Sequence, residues 1–400
     1  MKRLLAPRRI GLVASLVTLT LLGLQVIVGA SGSSARSGAL AVRRAATVPP
    51  GLFVRGSELT DEHGGRRRLA DPALAPLVGS AGPVAAPSPD GRLVAYNTWR
   101  WSKPIDWRQS LGQQGIETGD MLGMPRLRIL DLRSGKDEAL EPGSFSVAWR
   151  ADGALAYVRG TPPPYLANTP YLRNVLVRGR PNAEPVAWTS EPDRYLVDGW
   201  AGRTLIVERG VPGGTPDILA LEAPGSSRTL AEKASFLAVS PDGREILVAR
   251  GMLEGPTPSV SLIDVGSGET KASLDLGAVT DPATSEPVQW VNGPASWRED
   301  RVVVPASPGL LVLSARSSLA VEQVLHLDSA TKPDGILYEP RFTDDTTHTI
   351  VAWSDVPGTK GESQSVQFVC DRYALRCDRG ASVPSTEAPR PVYDESGGHR

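Results

Sequence analysis

One hairpin is written into this chain repeatedly, and that repetition limits the possible fold more than any other feature. AVSPDGREILVARG (Ala238 to Gly251) reads as a strand, a tight turn and a second strand. APSPDGRLVAYN (Ala86 to Asn97) repeats it, and AWRADGALAYVRG (Ala148 to Gly160) carries a degraded copy. In Ser240-Pro241-Asp242-Gly243 the proline presets φ, the aspartate tolerates the bridge conformation, and the glycine closes the turn. The apolar segments on either side, FLAV and EILVA, have strand length and composition. These are strands a and b. A second hairpin follows in PRLRILDLRSGKDEAL (Pro125 to Leu140) and SVSLIDVGSGETKASL (Ser259 to Leu274), each with an aspartate (Asp131, Asp264) and a Ser-Gly turn. These are strands c and d.

Along the chain the a–b hairpins fall near 84–97, 145–159, 195–208, 236–249, 294–305 and 338–353. Their c–d partners fall near 127–142, 174–189, 217–231, 259–275, 309–327 and 366–379. Trp149, Trp200 and Trp297 keep the register, each standing at or just before an a–b turn. A four-stranded unit recurring every ~40–60 residues is the signature of a β-propeller blade. The expected fold is therefore all-β, a six-bladed β-propeller of four-stranded antiparallel blades over residues 51–380. No single hairpin buries enough apolar surface to hold itself, so stacking them radially supplies the core. The high counts of Gly (41) and Pro (35) suit many short strands joined by turns. One piece is left over, GLFVRGSELTDEHGGRRRLA (Gly51 to Ala70), which looks like a c–d hairpin without an a–b partner. Pairing it with the last blade would close the ring and hide two edges. Residues 381–400 read as a disordered tail.

The SPDG-type turns followed by LVAY or ILVA, with the LDL-x-SG hairpins, resemble those of the TolB-like six-bladed propellers over roughly residues 80–380. The third, fifth and sixth units replace SPDG with Gly199-Trp200-Ala201-Gly202, Arg298-Glu299-Asp300 and Thr343-Asp344-Asp345. The resemblance implies an exported propeller that binds proteins or small ligands.

The amino terminus points to export independently. Met1 to Arg9 carries Lys2, Arg3, Arg8 and Arg9 and no acid, and Ile10 to Ala30 is free of charge. As a helix, that run would span a ~30 Å hydrocarbon core and anchor the chain in the membrane through residues 10–30. The alternative is a signal peptide cleaved near Ala30, after which the chain is secreted. In both readings the basic end stays in the cytoplasm and the remainder is extracytoplasmic. Residues 31–50 then serve as a flexible linker. The net charge of −1 argues against a nucleic-acid partner, which would require a basic face.

Signals for chemistry are sparse. There is no G-x-S-x-G elbow, and the four histidines (His63, His326, His348, His399) have no metal-ligand spacing. No cofactor, metal or catalytic residue is assigned. Asp90, Asp152 and Asp242 stand where turn formation alone selects aspartate. Cys370 and Cys377 sit to face one another across the last c–d hairpin, where an exported protein would form a disulfide staple. The b–c loops carry the remaining signal. Thr98 to Pro125 holds Trp99, Trp101 and Trp107, and Gly160 to Arg173 holds Tyr165 and Tyr171. Strand b ends in Arg-Gly three times, at Arg159-Gly160, Arg209-Gly210 and Arg250-Gly251. Tryptophan, tyrosine and arginine are the residues enriched at binding hot spots. The candidate partner-binding set is thus Trp99, Trp101, Trp107, Tyr165, Tyr171 and Arg159. Three readings of the Trp-rich loop stay open: a binding surface, a plug over the central channel, or disorder. The sequence reads as a non-catalytic binding module of the cell envelope, its partner an unidentified envelope protein or small ligand. The alternative is a propeller enzyme of the lactonase or lyase kind.

Overall fold

The computed structural model describes residues 53–55, 58–60, 66–69, 85–98, 126–160, 172–210, 214–251, 258–282, 285–291, 293–307, 309–316, 318–326, 337–342, 348–357, 363–384 and 390–391. All of them are strand, turn or irregular backbone. Among them no helix is long and apolar enough to cross a membrane, and the charge-free run at 10–30 and the linker at 31–50 lie outside them.

Six consecutive four-stranded antiparallel units match the β-propeller expected from the repeat. Blade 1 consists of Ala85–Pro87, Leu93–Thr98, Arg126–Asp131 and Asp137–Ala139. Blade 2 is built from Ser144–Trp149, Leu155–Gly160, Arg173–Arg178 and Val186–Ala187, and blade 3 from Tyr195–Ala201, Thr204–Arg209, Asp217–Ala223 and Ser226–Ala231. Blade 4 comprises Ser235–Val239, Glu245–Arg250, Ser259–Asp264 and Thr270–Asp275. In blade 5 the first position is shared by Trp290–Val291 and Ser296–Arg298, which both pair with Arg301–Ser307; Gly309–Ala315 and Leu319–His326 follow. Blade 6 is Leu337–Phe342, Thr349–Pro357, Ser363–Asp371 and Arg376–Pro384. One parallel pair, His326 with Arg376, joins blades 5 and 6 into a nine-stranded sheet.

A further four-stranded sheet is made from both ends of the chain. Its order is Arg390–Pro391, Phe53–Arg55, Glu58–Thr60 and Arg66–Arg68. Among the described residues the leftover amino-terminal piece makes no pairing with blade 6. It pairs with a strand inside the stretch expected to be a disordered tail, and the last strand of blade 6 itself runs past residue 380 to Pro384. A free edge strand is a pairing template, and the chain's own end covers this one. The sheet stands to blade 1 as blade 3 stands to blade 4. Arg67 donates to the carbonyls of Asp131 and Leu132 in blade 1's c–d turn, and Arg228 donates to those of Val265 and Gly266 in blade 4's. Leu59 and Leu69 pack with Val94, Tyr96 and Leu130 of blade 1.

The core lies between blades because each strand alternates its side chains between two neighbours. In blade 2, Ala156 and Val158 pack with Leu205 and Val207 of blade 3, while Leu155 and Tyr157 pack with Ala95 and Leu127 of blade 1. The first strands meet across blades. Trp149 donates its indole N–H to Ala86 O of the preceding blade at 3.0 Å, and Trp200 donates to Ala148 O at 3.2 Å. Trp297 instead donates to Glu299 O in its own turn. First strands also bulge, between Phe145 and Val147, Val197 and Gly199, and Phe236 and Ala238. At the blade 2 bulge Ser146 adopts φ 50°, and its hydroxyl donates to Val197 O and accepts from Val197 N.

Candidate functional site

The two ends of the blades use their charged residues differently. At the end that carries the a–b and c–d turns, the acids serve the turns. Asp90 accepts from the Ser88 hydroxyl and from Arg92 N, and Asp242 from the Ser240 hydroxyl and Arg244 N. Asp152 is gripped at both oxygens by Arg150. In the c–d turns, Asp131 accepts from Arg133 N and Ser134 N, and Asp264 from Ser267 N. These backbone donors, helped by Arg92 and Lys271, hold both carboxyls down at about 2. Turn formation thus accounts for the placement of these aspartates. Among the described residues no three His, Cys, Asp or Glu side chains gather as a metal site would require.

Cys370 and Cys377 are opposite one another in the register of blade 6's last two strands and form a disulfide with an S–S distance of 2.07 Å. The bond closes a turn in which Asp371 accepts from Tyr373 N and Ala374 N, as Asp131 and Asp264 do in their turns. Next to it, Arg372 donates to Glu322 and to Gln323 Oε1 of blade 5, which ties the two blades together.

The opposite end carries the b–c loops. Trp99, Trp101, Trp107, Tyr165 and Tyr171 lie outside the described residues, so only Arg159 of the expected set can be placed. It is the next-to-last residue of strand b of blade 2, opposite Ser144 and Asn174, and is exposed. Beside it Arg173 lies 4.9 Å over the Phe145 ring and donates to Tyr195 O of blade 3.

Two further groups stand at this end: Glu208, which escaped the sequence reading, and Arg250, which it noted only as a repeated Arg-Gly. Glu208 immediately precedes the Arg-Gly pair at the end of strand b in blade 3, a place that Val158 fills in blade 2 and Ala249 in blade 4. Its Oε1 accepts the Phe236 N–H of blade 4 at 2.9 Å, and burial between the blades pushes its carboxyl up. Arg250 ends strand b in blade 4. Its Nη1 donates to the Ser261 hydroxyl at 2.9 Å, and Ser261 is in turn 2.9 Å from the Ser273 hydroxyl. Burial pushes the Arg250 guanidinium down, and among the described residues no acid counters it. Of the three Arg-Gly strand ends, only Arg209 has a carboxylate among the described residues, at 2.8 Å on Asp217.

No protein-family model matches the chain, and no curated protein matches it. Solved structures that resemble it include TolB from Acinetobacter baumannii, 15% identical over 66% of this chain and 61% of TolB, with a TM-score of 0.37. The β-propeller domain of the Trilobed protease from Pyrococcus furiosus is 13% identical over 78% of this chain and 86% of that domain (TM-score 0.45). An acylaminoacyl peptidase from Pyrococcus horikoshii is 15% identical over 78% of this chain but 46% of its own length (TM-score 0.46). The chain thus spans about three fifths of TolB and less than half of the peptidase.

Proposed function

We propose that this chain is an exported, membrane-tethered β-propeller that binds a protein or small ligand of the cell envelope and performs no catalysis of its own. The partner meets the b–c loop face over blades 1 and 2, where Trp99, Trp101 and Trp107 stand in one loop and Tyr165 and Tyr171 in the next, with Arg159 between them. The observation that carries this reading is the contrast between the blade ends. At the turn end the acids are consumed in closing turns and gripping arginines. At the loop end Arg159 is left exposed on a rigid strand terminus. Rigid scaffolds that place variable loops beside such residues are where recognition concentrates. The charge-free run at 10–30, with its basic flank, supports export and tethering.

A pull-down of envelope proteins with the wild-type chain and with a Trp101→Ala/Trp107→Ala double variant tests the reading. A binding loop predicts capture weakened by ~2 kcal/mol or more with the melting temperature unmoved. A plug predicts a lowered melting temperature and unchanged capture, and this outcome overturns the assignment. A stoichiometric divalent metal in the purified protein would instead favour the lactonase or lyase reading.

A further inference from the structure

Arg250 is placed at a cost that the described protein does not offset. The alternation along strand b fixes where it points: Ile246 and Val248 pack with Ile206, Ile218 and Ala220 of blade 3. Arg250, two residues further along the same face, therefore enters the groove between blades 3 and 4 at the loop end. Strand pairing and Ser261, which is itself buried, hold the guanidinium there half-buried. Elsewhere in the ring, several half-buried arginines meet a carboxylate, while Arg67 donates instead to two backbone carbonyls. Arg128 has Asp137, Arg178 has Glu141, Arg209 has Asp217 and Arg372 has Glu322. Among the described residues Arg250 has none. Taking a charge out of water without a counter-ion is unfavourable, and a fork of five N–H donors with one described bond keeps the capacity to bind an anion in two-pronged fashion.

The geometry points to an oxyanion site in the groove between blades 3 and 4, where Arg250, steadied by Ser261 and Ser273, takes a carboxylate or phosphate group offered from the loop face. The inference rests on the proposed binding role for the side of approach, and it adds the chemical class of what is bound: an acidic group. Arginine rather than lysine suits it, because the planar fork matches the two oxygens of such a group.

Inorganic phosphate and an acetylated tetraglutamate peptide, titrated separately into the full-length protein at constant ionic strength, test the site by calorimetry and melting temperature. At least one probe should bind saturably and raise the melting temperature, as a ligand of the folded state must. Arg250→Met should weaken that binding by at least about tenfold. Its melting temperature without probe should hold or rise, because no described carboxylate loses a partner. Arg250→Lys keeps the charge, loses the fork, and should also weaken binding about tenfold; it serves if the methionine variant does not fold. A phosphate response alone assigns a phosphate ligand, and a peptide response alone assigns an acidic protein segment. The site is overturned if neither probe binds the wild type, or if both variants bind as the wild type does. A Trp101→Ala/Trp107→Ala chain that melts lower, captures its partner unchanged and keeps the anion response would sink the binding role and leave this site standing.

Discussion

The turn end and the loop end of the same blades are built from similar residues and put them to opposite uses. Asp264 at the turn end accepts Ser267 N–H and meets Lys271, so its charge is answered within one hairpin. Glu208 at the loop end has one described partner, the Phe236 N–H of the next blade, and its carboxyl is driven toward the neutral form. Arg150 at the turn end grips Asp152 with two nitrogens, whereas Arg250 at the loop end meets, among the described residues, a single hydroxyl. The difference teaches where the fold spends its polar groups. The turn end specifies the hairpins, whereas the loop end, beside the paired Arg209 and Asp217, keeps Arg159 and Arg250 without a described carboxylate. Residues that break local rules without a structural return are where function is expected.

The comparison would break most visibly at the tryptophans. Trp149 lies near the turn end, 2% exposed, with its indole N–H on Ala86 O of the preceding blade. Trp149→Ala should cost ~3–5 kcal/mol, as large-to-small changes of a buried tryptophan do. Trp149→Phe should recover most of that loss, short of the indole hydrogen bond. Chemical denaturation measures both. If the turn end is the structural end, capture of the partner by the folded fraction should not change. A loss of capture in folded Trp149→Phe would erase the division between the ends.

Much of the turn end was legible from sequence because its causes are local. Ser-Pro-Asp-Gly at 240–243 closes the hairpin between Ser235–Val239 and Glu245–Arg250, as proline, aspartate and glycine chemistry dictates. Trp149 and Trp200 marked the blade register because each reaches one blade back. The closing sheet was only half legible. Phe53–Arg55 reads as strand, but its partner is the two-residue strand Arg390–Pro391, too short to show any alternation. Glu208 was invisible for another reason. TLIVER looks like a strand with a polar end, and only the approach of blade 4 buries that end. Arg250 was noticed as a repeated Arg-Gly, yet its lack of a carboxylate is a fact of three dimensions.

Glu208 sharpens the comparison through pH. The unfolded carboxyl ionises near the ordinary 4.5, and the folded one ionises higher because burial disfavours its charge. The folded state therefore holds this proton more tightly. Its contribution to stability is greatest below 4.5 and declines as pH rises from 4.5 to the folded value. Glutamine keeps an acceptor for Phe236 N–H and has no charge to lose. Glu208→Gln should thus be more stable than the wild type at neutral pH, by an amount on the order of 1 kcal/mol. The two should converge below pH 4.5. Stability curves that stay parallel across that range would show the carboxyl to be as well answered as those of the turn end.

The smallest effect lies in the disulfide-closed turn of blade 6, and it probes how completely local chemistry governs the turn end. In the c–d turns of blades 1 and 4, the fourth residue after the aspartate is a glycine with positive φ: Gly135 at 74° and Gly268 at 78°. Blade 6 puts Leu375 in that place, at φ 50°, with its side chain 49% exposed. A side chain in left-handed backbone is strained, and this one recovers little by burial. Asp371, which caps Tyr373 N and Ala374 N, and the Cys370–Cys377 bond hold the turn in spite of it. Leu375→Gly removes the strain and gives the turn the residue its relatives use. The expected gain is about 0.5–1 kcal/mol, reduced by the greater freedom of glycine in the unfolded chain. Thermal unfolding with the disulfide intact measures it. A loss of stability would mean that the leucine makes a contact worth more than the strain it brings.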